Sequence, residues 1–175
     1  HWVSHTWDHH FLDGESYTVA FDELAMNNDR AAELGLPGYD VRNLVNPNYS
    51  GMTTPDVMRA ATDAGIRFTV GDTSKPGCDV TTPNTAYYHT LAPSILLVPR
   101  RPTNLFYNVS TPSQWMAEYN DLFRDHFGRD STYAQILDQE SDVLLKYLLR
   151  GEADPWMFHQ ADTRAYDGVH SLLGD

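Results

Sequence analysis

Apolar residues recur at helical spacing in four parts of the chain. The predicted helices cover 21–34, then run from Thr54 to Gly65, from Thr111 to Gly128 and from Thr132 to Arg150. Starting signals support the last three, because Thr54 and Thr111 precede a proline and Thr111 and Thr132 each precede a glutamine by three residues. Glycines at 35, 65, 128 and 151 mark the predicted C-terminal ends of the helices.

Short apolar or alternating runs between these helices predict strands. They cover 39–45, 66–70, 94–98, 105–107 and 156–158, and Trp2 and Val3 are interpreted as the end of a further, buried strand. Residues 73–93 are rich in prolines and glycines and are predicted to be irregular. The alternation of strands and helices predicts an α/β fold with a mainly parallel sheet.

Several reactive side chains directly follow predicted strands. They are His5, the loop from Asn46 to Gly51, Asp72, Arg100, Arg101 and His159. Functional residues of parallel sheets gather at the carboxyl ends of the strands. We therefore expect these side chains to share one rim of the sheet.

Composition narrows the possible functions. The 175 residues are 41% hydrophobic, which suits one folded domain spanning the whole chain. A net charge of −12 argues against binding to a nucleic-acid backbone, and no apolar run is long enough for a membrane span. The single Cys78 excludes an internal disulfide and a cysteine-based metal cluster.

The clearest candidate chemistry is the pair of histidines His5 and His9. One helical turn would place both imidazoles on the same face, close enough to bind one metal ion. A catalytic zinc site also needs a third ligand, usually a carboxylate, and an open position. The alternative is a histidine pair that has this spacing by chance.

The histidine segment carries a family resemblance. His5-Thr-Trp-Asp-His9 resembles the H-[ST]-x-x-H metal motif of the NodB-homology polysaccharide deacetylases, and Trp156-Met-Phe-His159 resembles their L-x-[IV]-H segment. The loop from Asn46 to Gly51 resembles their R-x-P-Y motif loosely, through Pro47 and Tyr49. Asp72 falls near their fourth motif.

The similarity extends over nearly the whole chain to the secreted deacetylases of amino-sugar exopolysaccharides, of the galactosaminogalactan type. Its most distinctive segment is Arg100-Arg-Pro-Thr-Asn104. The resemblance implies a distorted (β/α) barrel, a divalent metal, taken as zinc, and an N-acetylhexosamine polysaccharide as substrate. It also implies a secreted or cell-surface location.

The resemblance assigns roles to the candidate residues. His5 and His9 become metal ligands, and His159 becomes the general acid, with a core histidine as the alternative. Asp72 would orient catalytic side chains, although a cap is an equally good interpretation.

Tyr49 would give its backbone N–H to the oxyanion. Arg100 or Arg101 would fix a carboxylate at the rim, or else form a structural ion pair. The expected catalytic residues are therefore His159, Asp72 and Arg101. The aromatic rings of Trp7, Tyr49 and Trp156 would stack on sugars or pack in the core.

In this family, a third metal ligand and a general base are aspartates on an earlier strand. We therefore expect the chain to be the C-terminal portion of a deacetylase catalytic domain, with an upstream segment of the parent chain completing the site. The function expected is hydrolysis of N-acetyl groups with release of acetate. The alternative is a non-catalytic carbohydrate-binding or scaffolding domain, while a zinc protease is disfavoured because no H-E-x-x-H occurs.

Overall fold

The structure is a computed structural model that describes residues 2–72 and 82–175. Its contacts divide the chain into two compact units, His1–Arg100 and Arg101–Asp175.

Two helices form one layer of the first unit. Helix α1 spans Tyr17–Glu33 and helix α2 spans Pro55–Asp63, and the two pack against each other. The hydroxyl of Ser16 accepts the N–H of Val19, so α1 begins four residues earlier than predicted. Helix α2 begins and ends within two residues of the predicted bounds, where Pro55 occupies its first position.

A four-stranded sheet forms the other layer. The strands are β1 (Asn43–Leu44), β2 (Phe68–Val70), β3 (Tyr87–Tyr88) and β4 (Leu96–Val98), in the spatial order β1-β2-β4-β3. The β1-β2 and β2-β4 pairs are parallel, and Thr69 lies opposite both Leu44 and Leu97. The predicted mixed α/β fold with a parallel-containing sheet is confirmed.

Strand β3 was missed by the sequence reasoning. It runs antiparallel to β4 inside the stretch 73–93, which was predicted to be irregular. Residues 73–81 of that stretch lie outside the described residues. The pairing of Tyr87 with Leu97 depends on a partner strand, and no local pattern at Tyr87 and Tyr88 indicated it.

The core of the first unit consists of two apolar clusters. One gathers Leu24, Leu44, Tyr49, Met52, Met58, Ala61, Ile66, Ala92, Ile95 and Leu97. The other gathers Leu12, Ala20, Val57 and Ala60 where α1 meets α2. The sheet therefore packs on helices through alternate, inward-facing positions.

The first residues of the chain do not form the buried strand end that was predicted. Ser4 makes a single parallel bridge to Leu44, and the N–H of Val45 donates to its carbonyl. Trp2 and Val3 are 55% and 47% exposed, so the prediction of their burial is wrong. Ser4 is buried where the chain bridges to β1.

The second unit is built on two helices, α3 (Pro112–Phe127) and α4 (Tyr133–Leu149). The predicted caps are present: Thr111 accepts the N–H of Gln114, and Thr132 forms a capping box with Gln135. Gly128 ends α3 in a left-handed conformation, with φ of 66°. No helix in the described part of either unit is long and apolar enough to cross a membrane.

Two predicted strands of the second unit are absent from its described structure. Residues 105–107 lead into a turn in which the N–H of Val109 donates to Phe106. Leu105 and Val109 are both buried in the apolar core of this unit. Residues 105–107 are therefore apolar because the turn is anchored in that core, and not because they form a strand. The segment 156–158 contributes one parallel bridge, from Trp156 to Arg101.

Candidate functional site

The imidazoles of His5 and His9 lie side by side. Their ring centroids are 4.8 Å apart, with an angle of 77° between the planes. The segment between them is a bend, since Thr6 and His9 have left-handed φ values of 66° and 65°. The predicted helical turn is therefore wrong, although the two rings lie next to each other.

One nitrogen of His5 is fixed by the sheet. Its Nδ1 lies 2.6 Å from the carbonyl oxygen of Val45, which can only accept a hydrogen bond. Nδ1 therefore donates this hydrogen bond, and Nε2 is the ring nitrogen that a metal would use. Metal-binding histidines characteristically donate one ring N–H in this way, and both side chains are exposed to solvent. The pair thus fits a divalent metal.

A second group of possible metal ligands adjoins the bend. Ligand atoms of Asp8, His10 and Glu23 all lie within 4.8 Å of one another. The Nε2 of His10 is 2.9 Å from Glu15 Oε1, and this hydrogen bond raises the pKa of His10. Glu23 also accepts the N–H groups of Trp7 and Asp8, at 2.9 Å and 3.2 Å.

The sequence reasoning missed this second group. Glu23 lies thirteen residues after His10 in the sequence. It joins Asp8 and His10 because α1, which carries Glu23, packs beside the bend. The sequence signal that could have indicated this group is the presence of Asp8 and His10 on either side of His9.

The loop after β1 is a tight 3-10 turn over Pro47–Tyr49. The side chain of Asn46 donates to the carbonyl of Ser50 at 2.8 Å and accepts the hydroxyl of Thr69 at 3.2 Å. Tyr49 is 5% exposed, and its ring belongs to the core of the first unit. Its backbone N–H donates to Asn46 at 3.1 Å, so an oxyanion at Tyr49 would share that donor.

Asp72 and Arg100 occupy the ends of neighbouring strands. Asp72 follows β2 and is buried, while Arg100 follows β4 and is partly buried. Burial lowers the pKa of the Arg100 guanidinium, and the charges of Asp72 and Tyr49 raise it. Asp72 and Arg100 thus lie after the carboxyl ends of the neighbouring strands β2 and β4, where the sequence placed the rim of this unit.

Arg101 lies in the second unit with different partners. Its guanidinium pairs with Glu152 and with Asp154, the latter at 3.3 Å, and it lies 4.2 Å from the ring centroid of Tyr147. The side chain is 13% exposed. The structure therefore gives Arg101 the surroundings of a structural ion pair, the alternative left open by the sequence.

His159 also lies in the second unit, immediately before a 3-10 turn over Gln160–Thr163. Its backbone N–H donates to Asp162 Oδ2 at 2.7 Å. Asp162 is completely buried; burial raises its pKa, whereas the hydrogen bond and charge of His159 lower it. His159 itself is only partly buried, and its ring lies 6.0 Å from that of Tyr107.

The two candidate tryptophans differ in accessibility. Trp7 is 45% exposed within the bend of the first unit. Trp156 is partly buried, and its ring contacts Tyr147 with centroids 5.5 Å apart. Trp7 is therefore the more accessible of these two rings.

Comparison with known proteins shows the family of the chain. The family model for the Agd3 deacetylase domain matches residues 1–174. A solved structure titled as the crystal structure of Agd3, a novel carbohydrate deacetylase, matches with a TM-score of 0.83 and 25% identity. The match covers 98% of this chain and 28% of that one, and no curated protein matches.

The resemblance drawn from the histidine motifs and the Arg-Arg-Pro-Thr-Asn segment is thus confirmed at the level of the family. The chain belongs to the Agd3 deacetylase domain family.

Proposed function

We propose that the chain is the metal-binding part of an N-deacetylase that removes acetyl groups from an amino-sugar polysaccharide. One observation carries the proposal: in a chain of a deacetylase domain family, His5 and His9 meet with Nδ1 of His5 already fixed. Nε2 of His5 and a nitrogen of His9 would hold a divalent metal, which we propose to be zinc. When bound, it would polarise the acetamide carbonyl and activate water.

The chain's own residues would position the substrate and move a proton. His159 would give a proton to the leaving amine, and its backbone is held by Asp162. Asp72 and Arg100, whose opposite charges interact beside the loop of Tyr49, would orient polar groups of the reaction. Arg101 was our sequence-based choice, and we transfer its proposed role to Arg100 because of these partners.

The remaining parts of the proposal follow the family resemblance. The chain would form the C-terminal portion of a distorted (β/α) barrel, and an upstream segment of the parent chain would supply the general base and third metal ligand. The substrate would be an N-acetylhexosamine polysaccharide outside the cell. The likeness to a carbohydrate deacetylase that is much longer than this chain supports these statements.

The proposal is tested by measuring acetate release from N-acetylated amino-sugar polymers with the parent-length protein. His159→Ala should lower kcat by at least about 100-fold, the usual contribution of general acid catalysis, while metal content and melting temperature stay unchanged. His126→Ala removes an exposed histidine of α3 and serves as the control. Full activity of His159→Ala would refute the acid role, and loss of folding would make His159 a structural residue.

A further inference from the structure

An exposed tyrosine stands next to His159 in the second unit. Tyr107 is 71% exposed and lies with Asn108 at the centre of the turn from Phe106 to Val109. Leu105 and Val109, on either side, are 6% and 1% exposed in the core of this unit. The turn is thus anchored at both ends, and the tyrosine ring is held out toward solvent.

The position of this ring relative to His159 is well defined. The two ring centroids are 6.0 Å apart and the planes meet at 66°, so the tyrosine does not stack on the imidazole. The backbone of His159 is in turn fixed by Asp162. An aromatic surface and a candidate proton donor are therefore preorganised side by side, which lowers the entropic cost of binding a ligand between them.

We propose that Tyr107 is a substrate-binding residue whose ring stacks on the pyranose of the amino sugar that His159 protonates. This inference rests on the proposed function. One face of a pyranose ring carries C–H bonds and is apolar, whereas its hydroxyl and acetamido groups project around the edge. A tyrosine ring offers a large, rigid apolar face for such contact.

The distances are consistent with a single sugar touching both side chains. Ring centroids in aromatic contacts lie about 4.5–7 Å apart. A general acid lies within about 3.2 Å of the atom that it protonates. A pyranose stacked on Tyr107 would therefore hold a ring substituent within reach of an imidazole whose centroid is 6.0 Å from the tyrosine ring.

The test compares Tyr107→Ala and Tyr107→Phe in the parent-length protein. Tyr88→Ala is the matched control, since Tyr88 is a 64% exposed tyrosine on β3 of the first unit. Stacking binds substrate and transition state equally, so Tyr107→Ala should raise KM about tenfold and change kcat less than about twofold. Tyr107→Phe keeps the ring and should match wild type, as should the control.

A binding measurement separates this inference from the proposed function. Hexamers of N-acetylgalactosamine and of N-acetylglucosamine are titrated into chelator-treated protein, which needs no turnover. Weaker binding of either hexamer by Tyr107→Ala, with wild-type binding by Tyr107→Phe, supports stacking even if no acetate is ever released. Equal binding by all variants, no binding by wild type, or an equal loss in Tyr107→Phe overturns it.

Discussion

The proximity of two side chains was predictable where a short motif sets their spacing. His5 and His9 are such a pair, and their rings meet although the predicted helical turn is replaced by a bend. Arg100 and Arg101 were not separable from sequence. They are neighbours in the chain, yet one interacts with Asp72 and the other pairs with Glu152, fifty-one residues away. Such partners are set by tertiary contacts that no local pattern contains.

The buried carboxyl of Asp162 should make the stability of the protein depend on pH. Burial raises its pKa above the ordinary 3.8, so the folded protein binds this proton more tightly than the unfolded chain. The protonated carboxyl of Asp162 therefore stabilises the folded state below pH 3.8. This contribution is lost as the pH rises through the pKa that Asp162 has in the folded protein. Asp162→Asn keeps an oxygen to accept the N–H of His159 and carries no charge. We expect its free energy of unfolding to improve relative to wild type between about pH 4 and pH 7.

Urea unfolding at several pH values measures this difference. Asp138→Asn is the control, because it makes the same substitution at an exposed residue of α4. The expectation is contradicted if the free energy of unfolding of Asp162→Asn, relative to wild type, falls toward neutral pH. The buried carboxylate would then stabilise the fold as an anion.

Helices were easier to predict than strands. The side chains of Thr111 and Thr132 cap α3 and α4 as their sequences indicate. The strands of the sheet contain only two or three residues each. An alternation of apolar and polar residues cannot be recognised over so short a segment. The apolar runs at 105–107 and 156–158 were mistaken for strands because burial in a turn or a single bridge gives the same pattern.

The loop that carries Tyr49 depends on Gly51, which has a φ of +81°. A Cβ at this position would lie 2.6 Å from Cγ1 of Val57 and 2.9 Å from Cβ of Leu12, both of them core residues. Gly35 also has a positive φ, of +58°, but no atom lies within 4 Å of its Cβ position. Gly51→Ala should therefore cost about 3 kcal/mol, and Gly35→Ala about 1 kcal/mol.

Denaturant unfolding of the two alanine variants measures this contrast. Both substitutions share the cost of a left-handed backbone, so the difference between them reports the steric clash alone. Equal losses of stability would mean that the loop moves away from Val57 without penalty, and that it is less rigid than its hydrogen bonds indicate.

For the molecule as a whole, the family could be recognised because its motifs are spread over both units. The histidine pair, the loop of Tyr49 and Asp72 lie in the first unit, and the segment ending in His159 lies in the second. The sheet order and the division into two compact units could not be read from the sequence, since both depend on contacts between distant segments. With a net charge of −12, the chain also offers many exposed carboxylates to a cation.

Zinc-linked stability tests which residues of this acidic molecule bind the metal. A ligand that binds only the folded state stabilises it by RT ln(1 + [L]/Kd), about 2.7 kcal/mol at 100 times Kd. Zinc should therefore raise the melting temperature of the parent-length protein, and His5→Ala or His9→Ala should remove most of that rise. His10→Ala breaks the group of Asp8, His10 and Glu23 and should leave the rise intact. His126→Ala controls for the loss of any exposed imidazole. The reverse pattern, with the rise lost in His10→Ala and kept in His5→Ala, would place the metal on the acidic group and refute the paired histidines as its ligands.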